Sequence, residues 1–336
     1  MKPTDHSSVF QARLMRGARP SVTIRSGADR RLAPRAYWRE LTKLTLRAAW
    51  HRGHTEDWLR LLNSHPAFSE MVAHCPRMLY KIYRPYLSGA LPMAARLASL
   101  SAHYDCIFRR GLAPLVVQAS SAALPLAAID SKSALGYSID LRAVGTLERE
   151  GELVLQLSLD GQALYSVAFT FSAPGEVSIG CIQGSKGEAT LELIRQATRE
   201  LHGSRPKQLL VALVAQLGHA LGCSRLRLVS NANRVVLSAL RQGRVQSDYD
   251  QLWREMGACV RADGDFELPC APLAAPDLAE VASKKRSEVK KRHAMLAQLE
   301  QALVARFCPP ARTPLSLAYD ADARTGAANL AGRQAA

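Results

Sequence analysis

The chain has 336 residues, 48% apolar and 22% charged, enough to bury a full core in one large domain or two modest ones. No run of about 18 apolar residues occurs and the N-terminus lacks the apolar stretch of a secretory signal, so a cytoplasmic chain is expected rather than a membrane-spanning or secreted one. The formal net charge is +15, and it sits at two places: residues 1–60 carry thirteen Lys or Arg against five Asp or Glu, and residues 284–292 carry six against one. Nucleic acid, anionic lipid or an acidic protein would therefore be met by these segments and not by the near-neutral middle.

Residues 1–34 are rich in Arg, Gly, Pro and Ser without periodicity and read as a mobile basic arm. A helical subdomain is expected over 35–110. Tyr37, Leu41, Leu44 and Ala48 share one face, Trp58, Leu61 and Leu62 belong to a second helix, and further helices cover 71–80 and 93–108. His51, His54, Glu56 and Asp57 lack the spacing of a metal site, and the seven cysteines form no CxxC pair, so no metal is expected.

Over 111–275 the period changes and an α/β sheet core is expected. Leu153, Leu155, Leu157 and Leu159 alternate with Val154, Gln156, Ser158 and Asp160, and Tyr165, Val167, Phe169 and Phe171 alternate similarly, which predicts two strands with one buried face. Asp160-Gly161 suits the two-residue turn between them. A further strand, Val177 to Ile182, runs into a glycine loop, after which Leu191, Ile194, Thr198 and Leu201 mark a helix face. Ser204 caps a second helix with Leu210, Leu213, Val214, Leu217 and Leu221 inward, and Arg225 to Ser230 form a strand. The fold class is α+β: an N-terminal helical subdomain on a mixed sheet with helices, similar to GNAT acyltransferases in its strand, glycine loop and helix. A basic C-terminal helix over 276–308 and a disordered tail over 309–336 complete the chain.

Three segments carry candidate chemistry. In Gln183-Gly184-Ser185-Lys186-Gly187-Glu188 the loop lacks the spacing of a Walker phosphate loop. Gln183, Gly187 and Ala189 imitate the pyrophosphate turn of an acyl-CoA site, one residue out of step. Lys186 and Gly187 suit an anion at a helix start, while Ser185 and Glu188 equally form a capping box that needs no ligand. In His202-Gly203-Ser204-Arg205-Pro206-Lys207, the cations Arg205 and Lys207 stand at a helix N-terminus, where the dipole disfavours them unless an anion offsets it; His202 is a candidate base or a structural residue. In Ser247 to Glu255, Asp248 and Asp250 are either acid/base groups or helix caps, with Trp253 a pocket wall or a core anchor. Asn231 and Asn233 stand at a strand end. The run Lys284, Lys285, Arg286, Lys290, Lys291 and Arg292 is a solvated helix face or a grip on an anion.

The ordered set His103-Tyr104, Glu150-Gly151-Glu152-Leu153, Leu164-Tyr165-Ser166, Ile179 to Gly184, Leu201 to Lys207, Ser230-Asn231, Asp248-Tyr249-Asp250 with Trp253, Phe266 with Leu268-Pro269, and Ser283 to Ser287 resembles the VirK/YbjX family of bacteria over about residues 36–305. It departs at Gly257-Ala258-Cys259, at Glu288-Val289 and at His293. The resemblance implies a link to virulence, survival inside host cells and resistance to antimicrobial peptides, and it supplies no catalytic residue. Two functions remain open: an acyl-CoA-dependent acyltransferase with its anion site at the glycine loop, or a non-enzymatic basic protein that binds RNA or an anionic surface.

Overall fold

The computed structural model describes residues 21–185, 189–236 and 247–308. Most of the expected arm, the tail, and Lys186 and Gly187 of the glycine loop lie outside those residues, as does Glu188 of the expected capping box. Within the expected arm, residues 22–28 already pack against the helices. Val22 and Ala28 are buried, Asn63 bonds both the N–H and the C=O of Val22 at 2.8 and 2.9 Å, and Gly27 lies so close to Leu44 that it leaves no room for a Cβ.

Five helices form the N-terminal layer: α1 (Pro34–Trp50), α2 (Arg52–Leu62), α3 (Ala67–His74), α4 (Met93–Arg109) and α5 (Ala113–Ser121). Leu41, Leu44 and Ala48 are the buried face of α1, as their spacing predicts. The helix predicted across 71–80 instead breaks at Cys75. Pro76 follows it, and a proline holds the preceding residue out of the helical region, so the chain continues as a 3-10 run, Pro76–Tyr83.

Eight strands make one sheet in the order β1-β2-β3-β4-β5-β6-β8-β7. They are β1 (Leu124–Ala128), β2 (Tyr137–Ala143), β3 (Leu153–Leu159), β4 (Gln162–Ala173), β5 (Glu176–Gly184), β6 (Arg225–Leu228), β7 (Cys259–Val260) and β8 (Phe266–Pro269). Every pairing is antiparallel except β5 with β6. That parallel pair requires a crossover, which α6 (Ala189–Glu200) and α7 (Pro206–Ala220) provide. A short helix, α8 (Tyr249–Glu255), follows β6, and α9 (Ser283–Phe307) lies along α7 and buries Met295, Leu299, Leu303 and Phe307.

The alternating strands were expected to bury one face, and both are covered. Leu153, Leu155, Leu157, Val167 and Phe169 join a single core that extends from Val22 to Phe307, so the helical layer, the sheet and α9 share it. On the other face Val154, Ala168 and Cys181 pack with Leu147. The segment before β3 lies directly on that face: Gly151 sits against the backbone of Phe169, and Gly180 against the carbonyls of Glu150 and Leu87, where a Cβ has no space. Polar side chains there satisfy one another, with Gln156 donating to Ser166 at 3.0 Å and Ser172 lying 2.6 Å from Ser178.

Where the helical layer meets the sheet, a charged cluster is fully enclosed. Lys81 Nζ lies 2.5 Å from Glu152 Oε1, and the Tyr104 hydroxyl donates to Glu152 Oε2. The Glu152 N–H donates to Thr170 Oγ1 at 3.1 Å, with the Tyr86 hydroxyl 3.0 Å from the same oxygen. His103 Nδ1 accepts from the Phe171 N–H at 3.3 Å. Burial opposes ionisation of Glu152, but Lys81, His103 and the Tyr104 hydroxyl together outweigh it and hold the carboxyl below its ordinary value. Removing one member of such a pair strands a buried charge, which costs about 3–5 kcal/mol, whereas replacing both by apolar side chains is often neutral. Lys81→Met should therefore lower the urea midpoint strongly, and the double variant Lys81→Met with Glu152→Leu should recover most of the loss. Equal losses in the two would show that the pair's charge is not the cause.

Burial also pushes His103 down to about 4. Below an unfolded value of about 6.5 the unfolded chain takes up a proton that the folded chain refuses, so stability falls as pH falls between about 6.5 and 4, by up to about 3 kcal/mol. Urea denaturation at pH 7 and pH 4.5 should show that loss, and His103→Gln should flatten it. An unchanged slope would place the acid sensitivity elsewhere.

Candidate functional site

The parallel pair fixes the geometry of the candidate site. β5 and β6 run together only from Glu176↔Arg225 to Ile179↔Leu228, after which β5 continues to Gly184 with no strand on that edge among the described residues. Tyr249 of α8 fills the wedge. Its hydroxyl accepts from the Ile182 N–H at 2.8 Å and donates to the Ile182 carbonyl at 2.7 Å, so one phenol takes the place of the missing strand. The Arg234 guanidinium lies 3.8 Å from the centre of the Tyr249 ring and donates to the Ser247 carbonyl, closing the wedge from the far side.

Four sequence candidates belong to this scaffold. Asn231 accepts from the Tyr249 N–H at 3.0 Å and donates to Asp248 Oδ1 at 2.7 Å, while Asp250 accepts from the Asn231 N–H at 2.8 Å. Asp248 caps α8 through the Gln251 N–H, and that bond together with Asn231 lowers its pKa. Asn233 donates to Asp265 Oδ1, and Asp265, itself fully buried, also takes the Ser230 N–H and Arg227. Trp253 is buried and donates to the Val229 carbonyl. Of the two readings open for 247–255, the structure carries the cap and the core anchor. Asp265, which no sequence pattern marks, is the residue that sequence reasoning missed.

Beside this scaffold lies a groove of ≈ 770 Å³ between α6, the first turn of α7 and α8, with Tyr165 of β4 among its lining residues. Leu191 and Ile194 face it with Leu252. Of the face expected from Leu191, Ile194, Thr198 and Leu201, Leu201 is buried and Ile194 packs partly against the core, while Leu191 is exposed and Ala197 is a further buried position. Arg195, Arg199, Arg205 and Lys207 bring four cations to the same walls, against Asp248 and Glu255. Arg205 lies 3.7 Å from Glu255, and Lys207 has no carboxylate within 4.0 Å among the described residues; its ammonium stands 6.0 Å from the centre of the Tyr165 ring. Arg205 is the N-cap of α7 without a side-chain cap bond, in place of the expected Ser204. Gly184 closes β5 against the Tyr165 ring, where a Cβ would come within 3.0 Å. Gln183 is exposed and is not among the groove's lining residues.

His202 is elsewhere. It follows α6 in the left-handed region, with φ 53°, and is buried, its Nδ1 without a partner among the described residues. The neighbouring Gly203 faces Glu288 and Arg292 of α9. Burial, followed by Lys132 and Lys291, lowers its pKa, so it stands neutral near pH 7 and outside the groove lining. Lys284, Lys285, Arg286, Lys290 and Lys291 are exposed on α9, and Arg292 is half-buried.

The family model described as Protein of unknown function (DUF535) matches residues 35–305. The chain belongs to this family. It is 26% identical over 262 residues to uncharacterized protein YbjX of Escherichia coli K12, covering 75% of this chain and 78% of that relative. An uncharacterized protein of Haemophilus influenzae is 33% identical over 141 residues, 42% of this chain and 47% of its own length, so the chain spans under half of that relative. A cAMP-binding acyltransferase from Mycobacterium smegmatis aligns over 64% of this chain and 62% of its own, less than two thirds, at 12% identity and a TM-score of 0.25. That likeness is too slight to transfer any property.

The motifs that marked the VirK/YbjX resemblance now have physical reasons. His103-Tyr104 and Glu152 form the enclosed charged cluster, Gly151 and Gly180 allow the strap onto the sheet, and Asn231 with Asp248-Tyr249-Asp250 holds α8 in the wedge. Among the described residues no helix is long and apolar enough to cross a membrane. If Tyr249 stands in for a strand, Tyr249→Phe leaves the Ile182 N–H and C=O without a buried partner and should cost about 1–3 kcal/mol in urea denaturation. A variant as stable as the parent would mean that another group satisfies the β5 edge.

Proposed function

We propose that the groove between α6, α7 and α8 receives an amphiphilic anion of the acyl-CoA class, and that the chain is an acyltransferase using it as donor. One observation carries this reading: apolar Leu191, Ile194, Leu252 and the Tyr165 ring share a groove of ≈ 770 Å³ with Arg195, Arg199, Arg205 and Lys207. A pocket that is apolar with a few charged groups suits a ligand with an acyl chain and phosphates. Arg205 and Lys207 sit at the positive end of α7 with no acid in its first turn, an arrangement that a bound phosphate stabilises. Acylation of an envelope precursor would fit the link to virulence and antimicrobial-peptide resistance that the family resemblance implies.

Transfer would break the thioester C–S bond, join the acyl carbon to an acceptor oxygen or nitrogen, and pass the acceptor's proton to a base while the thiol leaves. The carboxylates of the groove are already engaged: Asp248 caps α8, and Glu255 accepts from Gln251 and faces Arg205. That observation favours a second reading, in which the protein binds such an anion, RNA or an anionic surface without turnover and uses exposed Lys284, Lys285 and Lys290 as well.

Calorimetry with CoA and with palmitoyl-CoA separates these readings from no binding. Palmitoyl-CoA should bind more tightly than CoA, and Arg205→Glu with Lys207→Glu should weaken it by about tenfold or more. Mass spectrometry of free CoA released over time, with a cell extract as acceptor source, then distinguishes donor from mere ligand. Absence of heat with either compound would sink the groove reading, and binding without release would leave the non-enzymatic one.

A further inference from the structure

The face of α1 turned away from the core bears no relation to the groove and has its own chemistry. Large hydrophobic side chains that stand exposed among the described residues are Leu32, Trp38, Leu46 and Trp50, with Leu191 and Val260 elsewhere, so most of them come from one short stretch. Trp38 is 63% exposed, Leu46 66% and Trp50 85%. At 100° per residue these three fall within about 120° of arc, opposite the buried Leu41, Leu44 and Ala48, and the two indoles stand about 18 Å apart along the axis. Arg35, Arg39, Lys43 and Arg47 recur at every fourth residue on the same exposed side. Glu40 is the only acid of the helix. It is half-buried: its carboxylate accepts from the Tyr80 hydroxyl at 3.3 Å and lies 3.6 Å from Lys43 and 4.0 Å from Arg39, which leaves the face a net surplus of cations.

We infer that this face of α1 docks on an anionic lipid bilayer, lying in the interface with Trp38, Leu46 and Trp50 inserted among the acyl chains and the four cations at the headgroups. Charge complementarity selects that occupant. A row of cations interleaved with exposed indoles matches a negatively charged surface whose apolar layer begins just below it, and long Arg and Lys stems let the charge stay at headgroup level. A protein partner fits less well, because it would need carboxylates at fixed positions to match each desolvated cation of the row, whereas a bilayer brings anionic headgroups that move to meet them. A single-stranded nucleic acid asks for a groove with successive stacking faces, whereas Leu46 stands between the two indoles on a convex helix.

The chain carries its own reporter. Of its four tryptophans, Trp58 and Trp253 are buried, at 1% and 0% exposure, so a change of indole environment on binding reads Trp38 and Trp50. The test mixes the full chain with sedimentable vesicles of phosphatidylcholine and phosphatidylglycerol at a mole ratio of about three to one, and separately with phosphatidylcholine alone. The mixed vesicles should pellet the protein and shift its emission to the blue, with affinity at least about tenfold above that for phosphatidylcholine and falling with added salt. Trp38→Ser with Trp50→Ser should abolish the shift and most of the pelleting, as should Lys43→Glu with Arg47→Glu. Trp50→Ser alone, at the most exposed position, should lose much of the shift with no change in thermal midpoint. The inference is overturned by absence of pelleting, by equal binding to both vesicles, or by pelleting that survives the double tryptophan variant. It is overturned as well by pelleting lost only on Lys284→Glu with Lys285→Glu, by an oligonucleotide that displaces the vesicles through the same indoles, or by a concentration-dependent dimer that the tryptophan variants dissolve.

Discussion

The architecture depends on one enclosed ion pair. Lys81 comes from the 3-10 run of the helical layer and Glu152 from the entrance to β3, and they meet with no access to water. A lysine and a glutamate taken out of water are tolerable only if each finds the other and the remaining oxygens are bonded, which Tyr104 achieves directly while Thr170 anchors the Glu152 backbone beside it. The consequence is positional. The helices cannot slide over the sheet without leaving a bare charge in the core, so the register between the two layers is fixed where apolar packing alone would allow neighbouring solutions.

From that junction the fold reaches the groove in short steps. Glu152 is continuous with the strap at Gly151 that lies on the second face of the sheet, and the strap's carbonyl at Glu150 presses on Gly180 of β5. β5 then runs past the end of β6 into the wedge that Tyr249 closes, and α8, held there, forms one wall of the groove while α6 and α7 form the others. Rigid partners thus surround a groove whose cationic side chains are largely exposed, Arg195 and Arg199 beside Glu192 and Arg205 beside Glu255, so the shape is set by the scaffold and the charge by long side chains.

Much of this was legible in the letters. Apolar spacing located α1, α4, α7 and α9, and the period-two runs located β3 and β4, because each is long enough for the pattern to repeat, while β5 was marked by its apolar run. β1 escaped notice since Pro125 interrupts it, and it is an edge strand whose register shifts at that proline. β7 and β8 are too short to show a period at all. The face of α6 was legible only in part: Leu201 is buried and Ile194 packs partly against the core, but Leu191 at the same helical spacing is exposed at the groove, and a pattern of apolar letters does not say which surroundings await it. Arg205 and Lys207, visible in the sequence as cations at a helix N-terminus, line that groove. His202, Asp248, Asp250, Asn231 and Asn233 were legible only as polar residues at joints, and the hydrogen bonds that make the last four scaffold span separate elements, which no local pattern reveals.

The central claim is that the surface enclosed by α6, the start of α7 and α8 takes an amphiphilic anion. Hydrogen–deuterium exchange of the full chain with and without palmitoyl-CoA tests it most directly, since it reports where protection appears. The account predicts slowed exchange in residues 191–200, 205–210 and 249–255, with α9 unchanged. Protection confined to 284–292, or none at saturating ligand, would contradict it.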